Sequence, residues 1–574
     1  MADILSYQYK SVFSTPCDNL TNLEAVRSTC PPLNNIIISE ESTISAIKDM
    51  NSSSSPGPDG IASTIYKEYS VQLAQPITQI WRLSLDTGKL PEGIAQAVIT
   101  PIYKGGVKSL PANYRPVALT NHLTKIFERI LRKEIVRHLE THTLLNPTQH
   151  GFRSGRSTIS QLLAYLDDIL TKLEEGKNVD SVYLDFAKAF DKVDHNILLH
   201  KMAMLNIGGN ILKWVEAFLK QRQQRVKVES SLFDPETVIS GVPQGSVLGP
   251  LLFLILMSDI NKNISQAAVG SFADDTRVWQ GTDSSDTPNL MQQELNKIYE
   301  WSKTNNMTFN EAKFEGMAFG TGTRTSKYQT PSGQNIQSKN TIKDLGITME
   351  KSLSFHTHIA NTTAKGHRMA GWALRTFRSR DITLMLTLLK SLVVSQMEYG
   401  CVVWTPYDQH NTNLLGSVQR SFTSKFSCFQ TYDDDLKMPI CTTNYATRLR
   451  ILRIYSLQRR RERYAIIYIY KIIRKLIPNP GLHITHRSRT KYYIKPKLNL
   501  RNNYLSWIKK ARENSLFFNG ARIYNSLPQN LRDKEPLPGT KAEVDSFKRK
   551  LDQYLKTIPD NPGTQRNSLL PQLQ

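Results

Sequence analysis

The sequence predicts a core of mixed helices and strands, of α/β or α+β class. Between about residues 51 and 320, apolar positions alternate between a helical and a strand period. Two short strands in that region end on acids. One is Ser181-Val182-Tyr183-Leu184-Asp185. The other precedes Phe272-Ala273-Asp274-Asp275, which reads as a β-hairpin tip between Val269 and Val278-Trp279. From residue 364 to about 426 the pattern turns mostly helical.

Composition narrows the partners. The 574 residues are 40% hydrophobic and 21% charged, as in soluble globular proteins. A net charge of +23 favours a polyanionic partner, nucleic acid ahead of an acidic membrane. The apolar run at residues 251–257 falls far short of the ~20 residues that span a bilayer. Met1-Ala2-Asp3 opens no signal peptide, and no membrane partner is expected. Cys17, Cys30, Cys401, Cys428 and Cys441 are scattered and form no C-x-x-C pair. Reduced thiols inside the cell are therefore expected, not a disulfide framework or zinc knuckle.

Residues 1–50 form an N-terminal extension that ends in the Ser/Pro/Gly run of residues 51–60. That run is either a linker or a loop entering the helix of Ile65, Tyr69 and Leu73. The strand Ile99-Thr100-Pro101-Ile102-Tyr103-Lys104 ends on a cation, and Asn113-Tyr114-Arg115-Pro116-Val117 offers another. Two such cations on a hairpin can clamp a triphosphate or simply face water. Beyond Asp185 the chain continues Phe186-Ala187-Lys188-Ala189-Phe190-Asp191. Phe190 suits either the floor of a sugar site or the core. The stiff loop Gly241-Val242-Pro243-Gln244-Gly245 lets backbone approach a ligand, with Gln244 as its one long hydrogen-bonding side chain. Residues 320–339 read as a loop or hairpin.

If the two acid-tipped strands lie side by side, Asp185, Asp274 and Asp275 converge. At ~4 Å such charges repel by roughly 4 kcal/mol per pair at an effective dielectric of about 20. Divalent cations relieve that repulsion, and clustered Asp oxygens suit Mg²⁺.

Taken together and in order, these segments resemble the reverse transcriptases of non-LTR (LINE-type) retrotransposons, nearest the jockey-like group. The likeness runs through Pro56-Gly57-Pro58-Asp59-Gly60, Asn113-Tyr114-Arg115-Pro116, Gln149-His150-Gly151-Phe152-Arg153, Leu184 to Asp191, Gly241 to Gly245 and Phe272 to Asp275. It continues through Asp344-Leu345-Gly346, Leu353-Ser354-Phe355, Glu398-Tyr399-Gly400 and Tyr524-Asn525-Ser526-Leu527-Pro528.

The resemblance implies an α+β right-hand polymerase: fingers, a palm with an antiparallel sheet, a helical thumb and a mainly helical basic C-terminal region. Fingers and palm would occupy 51–320, primer grip and thumb 321–430, the basic region 431–557, and a disordered tail 558–574. It implies RNA-directed DNA synthesis from dNTPs on a primer DNA 3′-hydroxyl. Two Mg²⁺ ions, with Mn²⁺ as a substitute, would sit on Asp185, Asp274, Asp275 and the Phe186 carbonyl. Lys104 and Arg115 would clamp the triphosphate, Phe190 would be the sugar gate, and Gln244 would touch nucleotide and template. Leu345 and Gly346 would form the primer grip. Lys313 would be an acid toward pyrophosphate, although Glu311 stands where the family has Pro. Relatives begin with an endonuclease domain, so nicking is expected to come from a separate endonuclease chain or from existing DNA ends. A nuclear location, or a cytoplasmic ribonucleoprotein, follows from the same resemblance.

The segment from Arg448 to Arg512 holds nineteen Lys and Arg against the single acid Glu462, a net of +18. Tyr464, Tyr468, Tyr470, Tyr492, Tyr493, Tyr504 and Trp507 interleave with these cations. The mixture suits template RNA, with Arg459, Arg460, Arg461, Arg463, Lys471, Arg474 and Lys475 expected as contacts. An amphipathic helix packed on the thumb with a solvated basic face is the plainer alternative. Two other functions compete: a catalytically inactive nucleic-acid-binding relic, and a metal-dependent nuclease. The latter leaves the Gly241–Gly245 loop and the clamp cations unexplained.

Overall fold

The computed structural model describes residues 2–17, 28–91, 93–229, 231–282, 287–320, 327–406, 408–433, 438–488, 491–497, 506–532, 539–562 and 569. Most of the expected disordered tail, part of the 320–339 loop, and Arg489, Arg501 and Tyr504 of the basic segment lie outside the described residues.

The strands of the first 350 residues are β1 (Gln96–Tyr103), β2 (Tyr114–Leu119), β3 (Asn178–Leu184), β4 (Gln223–Val228), β5 (Ser231–Leu232), β6 (Glu236–Thr237), β7 (Ala268–Phe272), β8 (Asp275–Thr282), β9 (Glu315–Phe319), β10 (Gln337–Ser338), β11 (Thr341–Asp344) and β12 (Ile347–Glu350). They form two five-stranded sheets and a hairpin. The first sheet runs β2-β1-β4-β5 with β6 also on β4, and the second runs β10-β9-β3-β8-β7. β11 and β12 make the separate hairpin.

The second sheet organises the molecule because both its faces are covered. Val179, Trp279, Met317 and Phe319 pack toward the helix Thr158–Glu174 and the later helices. Val182, Leu184, Val269 and Val278 pack toward the helices that precede β3 and follow it. β3 is accordingly buried at nearly every position, and its buried polar residues are hydrogen-bonded inside: Asp180 accepts from the Tyr328 hydroxyl and Ser181 from the Tyr165 hydroxyl (2.7 Å each). The helix Thr158–Glu174 opens with a capping box in which the Ser157 and Ser160 side chains satisfy each other's backbone. Gly249–Leu256 is apolar all round and buried except at Pro250, which stands in its first turn.

After β12 the chain is mainly helical, through His356–Thr376, Gln409–Thr423, Leu457–Ile473 and Lys541–Lys556. These helices share one apolar cluster with Thr158–Glu174, joined by Trp404, Phe422, Ile466 and Leu551. Residues 321–430 and 431–557 therefore lack separate cores. The described part of the tail is also tied down: the Ser456 hydroxyl donates to Asp560 (2.8 Å) and Arg459 donates to the Pro559 carbonyl (3.0 Å). Among the described residues no helix is long and apolar enough to cross a membrane.

Candidate active site

β3 and β8 pair antiparallel with Leu184 opposite Thr276, and β7 and β8 close a hairpin with Phe272 opposite Asp275. One residue further along β3, Asp185 falls beside the hairpin tip, so the three acids meet at one end of the sheet. The tip itself needs support, because Ala273 is held at φ 58, a left-handed conformation unfavourable for a residue with a Cβ. The buried Gln149 side chain supplies it. Its Oε1 accepts from the Ala273 N–H (2.8 Å), and its Nε2 donates to the Ala273 carbonyl (3.0 Å). Gly151 lies so close that a Cβ there would sit 2.4 Å from the Ala273 nitrogen. The Gln149-His150-Gly151 segment is thus the mould of the acid turn.

The electrostatics are strained in the way clustered carboxylates must be. Burial, then the charge of Asp185, raises the Asp274 carboxyl. Burial, then Asp274, Asp185 and Asp344, pushes Asp275 up to about 6. Lys313 Nζ sits 2.9 Å from Asp185 Oδ2, and the Asp185 carbonyl accepts from Asn310 N–H (2.8 Å). The all-oxygen donor set and the disfavoured negative charge fit a hard divalent cation.

Above the acids opens a cleft of about 1410 Å³ lined by Lys104, Arg115, Phe190, Gln244, Lys313 and the three acids, among others. β1 and β2 form the expected hairpin, with Ile102 opposite Arg115, and Lys104 donates its N–H to the Asn113 carbonyl. Burial and the nearby Lys188, Arg115 and Lys313 lower the Lys104 ammonium, the signature of crowded cations.

Phe190 is half-buried. It stacks on Phe253 (centroids 4.5 Å, 13°), meets Phe152 edge-on and still borders the cleft. The ring therefore both packs against the core and borders the cleft. Gln244 Nε2 donates to Asp191 Oδ1 (2.7 Å), and the Gln244 carbonyl accepts from Ala118 N–H (2.7 Å). Gly245 (φ 125) brings the loop so near β2 that a Cβ would lie 2.5 Å from the Ala118 carbonyl oxygen.

Four supporting residues escaped the sequence reading. Buried Glu128 accepts from the Val247 and Leu248 N–H groups (2.7 and 2.8 Å), capping the exit of the Gln244 loop. Burial raises its carboxyl to about 7. Asp191, also raised by burial, orients Gln244 and stood in a quoted motif without a role. Buried Arg277 lies 2.5 Å from Asp344 and over the Tyr165 ring (4.9 Å), linking β8 to the hairpin that carries Leu345 and Gly346. That turn is held from outside by Tyr399, whose hydroxyl donates to the Leu345 carbonyl (2.9 Å). Each of these contacts joins residues far apart in sequence, so no local pattern announces it.

The expected template-binding arginines need correction. Arg459, Arg461 and Arg474 are buried. Arg460 is paired with Glu398 (Nη2–Oε2 2.7 Å), Arg463 with Asp552 (2.7 Å) and Arg474 with Glu543 (2.8 and 2.9 Å). The helix Leu457–Ile473 buries most of its circumference, and these ion pairs lock it to its neighbours, while the half-buried Arg460 and Arg463 also border a cleft with Arg450, Arg453 and Tyr464. Of the seven cations, Lys475 is exposed and Lys471 half-buried.

The site is thus a three-acid hairpin end beneath a cation-lined cleft. Residues 102–349 match the family model "Reverse transcriptase (RNA-dependent DNA polymerase)", and the chain thus carries a reverse transcriptase domain. Several of the relatives it matches are named RNA-directed DNA polymerases of transposons or mobile elements. It is 28% identical over 363 residues (61% of this chain, 39% of the relative) to the probable RNA-directed DNA polymerase from transposon X-element of Drosophila melanogaster. It is 27% identical over 404 residues (67% and 44%) to the RNA-directed DNA polymerase from mobile element jockey of the same species. The chain spans about 39–50% of the length of the first curated relatives it matches. Among solved structures, apo telomerase from Candida tropicalis, truncated from its C-terminal domain, is 14% identical at a TM-score of 0.32. That likeness covers 50% of this chain and 59% of the telomerase.

Proposed function

We propose that this chain is an RNA-directed DNA polymerase of a non-LTR retrotransposon, extending a primer DNA along an RNA template. The second sheet would be the palm, the β1–β2 hairpin part of the fingers, and the helices after β12 the thumb. The observation that carries this reading is the convergence of Asp185, Asp274 and Asp275 in a cleft that Lys104 and Arg115 also line.

Asp185, Asp274 and Asp275 would hold two Mg²⁺ ions, aided by the Phe186 carbonyl. Bound there, such ions lower the pKa of the primer hydroxyl and neutralise charge on the leaving pyrophosphate. The chain's own groups account for the rest. Lys104 and Arg115 bind the triphosphate, whose negative charge relieves their mutual repulsion. Gln244, fixed by Asp191, presses on the nucleotide and the template base. Phe190, braced by Phe253, fills the space a 2′-hydroxyl would need. The primer 3′-oxygen bonds to the α-phosphorus as the bond to pyrophosphate breaks. Lys313, within reach at Asp185, can deliver a proton to the departing oxygen. Leu345 and Gly346 present backbone to the primer strand.

The test is homopolymer-templated dTTP incorporation with Mg²⁺. Asp274→Asn should abolish it while leaving template binding intact. Equal incorporation by variant and wild type would remove the acid site from the mechanism, and none by either would favour a binding protein.

A further inference from the structure

Remote from the acids, three donors of a different character meet where the N-terminal segment crosses the molecule. Cys30 Sγ lies 3.7 Å from His138 Nε2. His142 follows His138 by one turn at the end of the helix His122–Thr141, with ring centroids 5.1 Å apart. One ligand atom from each of the three lies within 4.8 Å of the others. Bond lengths of about 2.3 Å to sulfur and 2.0–2.1 Å to nitrogen put donors of a tetrahedral site about 3.3–3.6 Å apart. Side-chain shifts of roughly 1 Å would therefore close this set on one ion.

The surroundings are built to hold Cys30 in place. Asn206, at φ 56, donates its side-chain amide to the Ser28 carbonyl (2.6 Å), the Cys30 carbonyl (2.8 Å) and, at 3.9 Å, Cys30 Sγ. Ser28 N–H donates to the Met204 carbonyl, and Leu33 N–H to the Asn206 carbonyl (2.8 Å each). The amide thus fixes the position of the sulfur, as outer-shell partners do for metal ligands. His138 Nε2 also lies 2.9 Å from the Leu205 carbonyl, and ligation through Nε2 would replace that contact, the proton moving to Nδ1.

We propose that Cys30, His138 and His142 form a binding site for one thiophilic divalent cation, Zn²⁺ foremost, with water in the fourth position. One thiolate with two imidazoles selects zinc or cobalt over magnesium, the reverse of the preference of the three-Asp site. The ion staples the segment carrying Cys30 to a helix more than a hundred residues later, closing a long loop over the turn at Leu205–Gly208. Cys30 has no partner cysteine or histidine at zinc-finger spacing, which is why the sequence reading dismissed zinc.

The experiment uses the full chain, stripped of metal and titrated with Co²⁺ in excess Mg²⁺. The wild type should take up one Co²⁺ with a thiolate-to-cobalt charge-transfer band and the intense visible bands of a four-coordinate centre. Asp275→Asn should keep these bands and Cys30→Ser should lose them. His142→Ala should weaken binding at least tenfold. Asn206→Gly, which keeps the backbone conformation but removes the amide, should weaken it about 10–100-fold. His142→Cys should retain the ion and add a second thiolate band, a gain that misfolding would not produce. Absence of a thiolate band in the wild type, or its survival in Cys30→Ser, would overturn the proposal.

Discussion

Arg512 is the sharpest test of how the basic C-terminal segment uses its charge. Its guanidinium is fully buried and donates to Asp167 Oδ1 (2.6 Å), to both oxygens of Glu174 (2.7 and 3.1 Å) and to Thr171 (3.1 Å). All three partners belong to the helix Thr158–Glu174, which backs the sheet of the three acids. Burial raises the Glu174 carboxyl, and Arg512 opposes that rise. Arg512→Met keeps the volume but leaves two acids buried against one remaining cation, Lys497, at Asp167. Removing one partner of a buried ion pair costs about 3–5 kcal/mol. At ~2–4 °C per kcal/mol for a cooperative unit of this size, the melting midpoint should fall by roughly 6–20 °C. Differential scanning fluorimetry reads the shift, and filter binding to single-stranded RNA, measured well below the midpoint, should be unchanged. Glu174→Gln added to Arg512→Met should recover part of the loss. An unchanged melting midpoint with weakened RNA binding would refute the argument, because Arg512 would then be a ligand contact.

Three further outcomes are expected. Gln149→Ala strands the buried N–H and carbonyl of Ala273, so it should cost about 1–3 kcal/mol in urea unfolding and lower dTTP incorporation; wild-type values for both would release the acid turn from this clamp. Asp275 rises from 3.8 to about 6 on folding, so its folded form binds the proton more tightly. Its contribution to stability should fall as pH rises through that window and stay low above it. Mg²⁺ should therefore stabilise the protein more at pH 7 than at pH 5 in thermal scans, and equal stabilisation would count against it. Phe190→Val should raise ribonucleotide use relative to deoxyribonucleotide use in single-nucleotide extension, while an unchanged ratio returns the ring wholly to its stack on Phe253.

The acid hairpin was legible because its evidence is local: a period-two run, an acid pair at a turn, and a second strand ending on an acid. The β1–β2 hairpin and the loop at Gln244 were legible for the same reason. What holds them was not, since Gln149 serves Ala273 across 124 positions and Glu128 serves Leu248 across 120. The arginines of Leu457–Ile473 were misjudged for a related cause. A charge count along a segment misses partners elsewhere in the chain, and Glu398, Asp552 and Glu543 all lie outside it. Burial on nearly every side of that helix leaves little amphipathic signature to warn of this.

Those distant partners bear on how the C-terminal region can be studied. Cut free near residue 431, it would lose Glu398 and the Asp167–Glu174 pair, the counter-charges of Arg460 and Arg512. The excised piece would carry guanidinium groups stripped of the carboxylates that pair them in the whole protein. It would adhere to any polyanion, and tight RNA capture by such a fragment would report the excision and not the native surface.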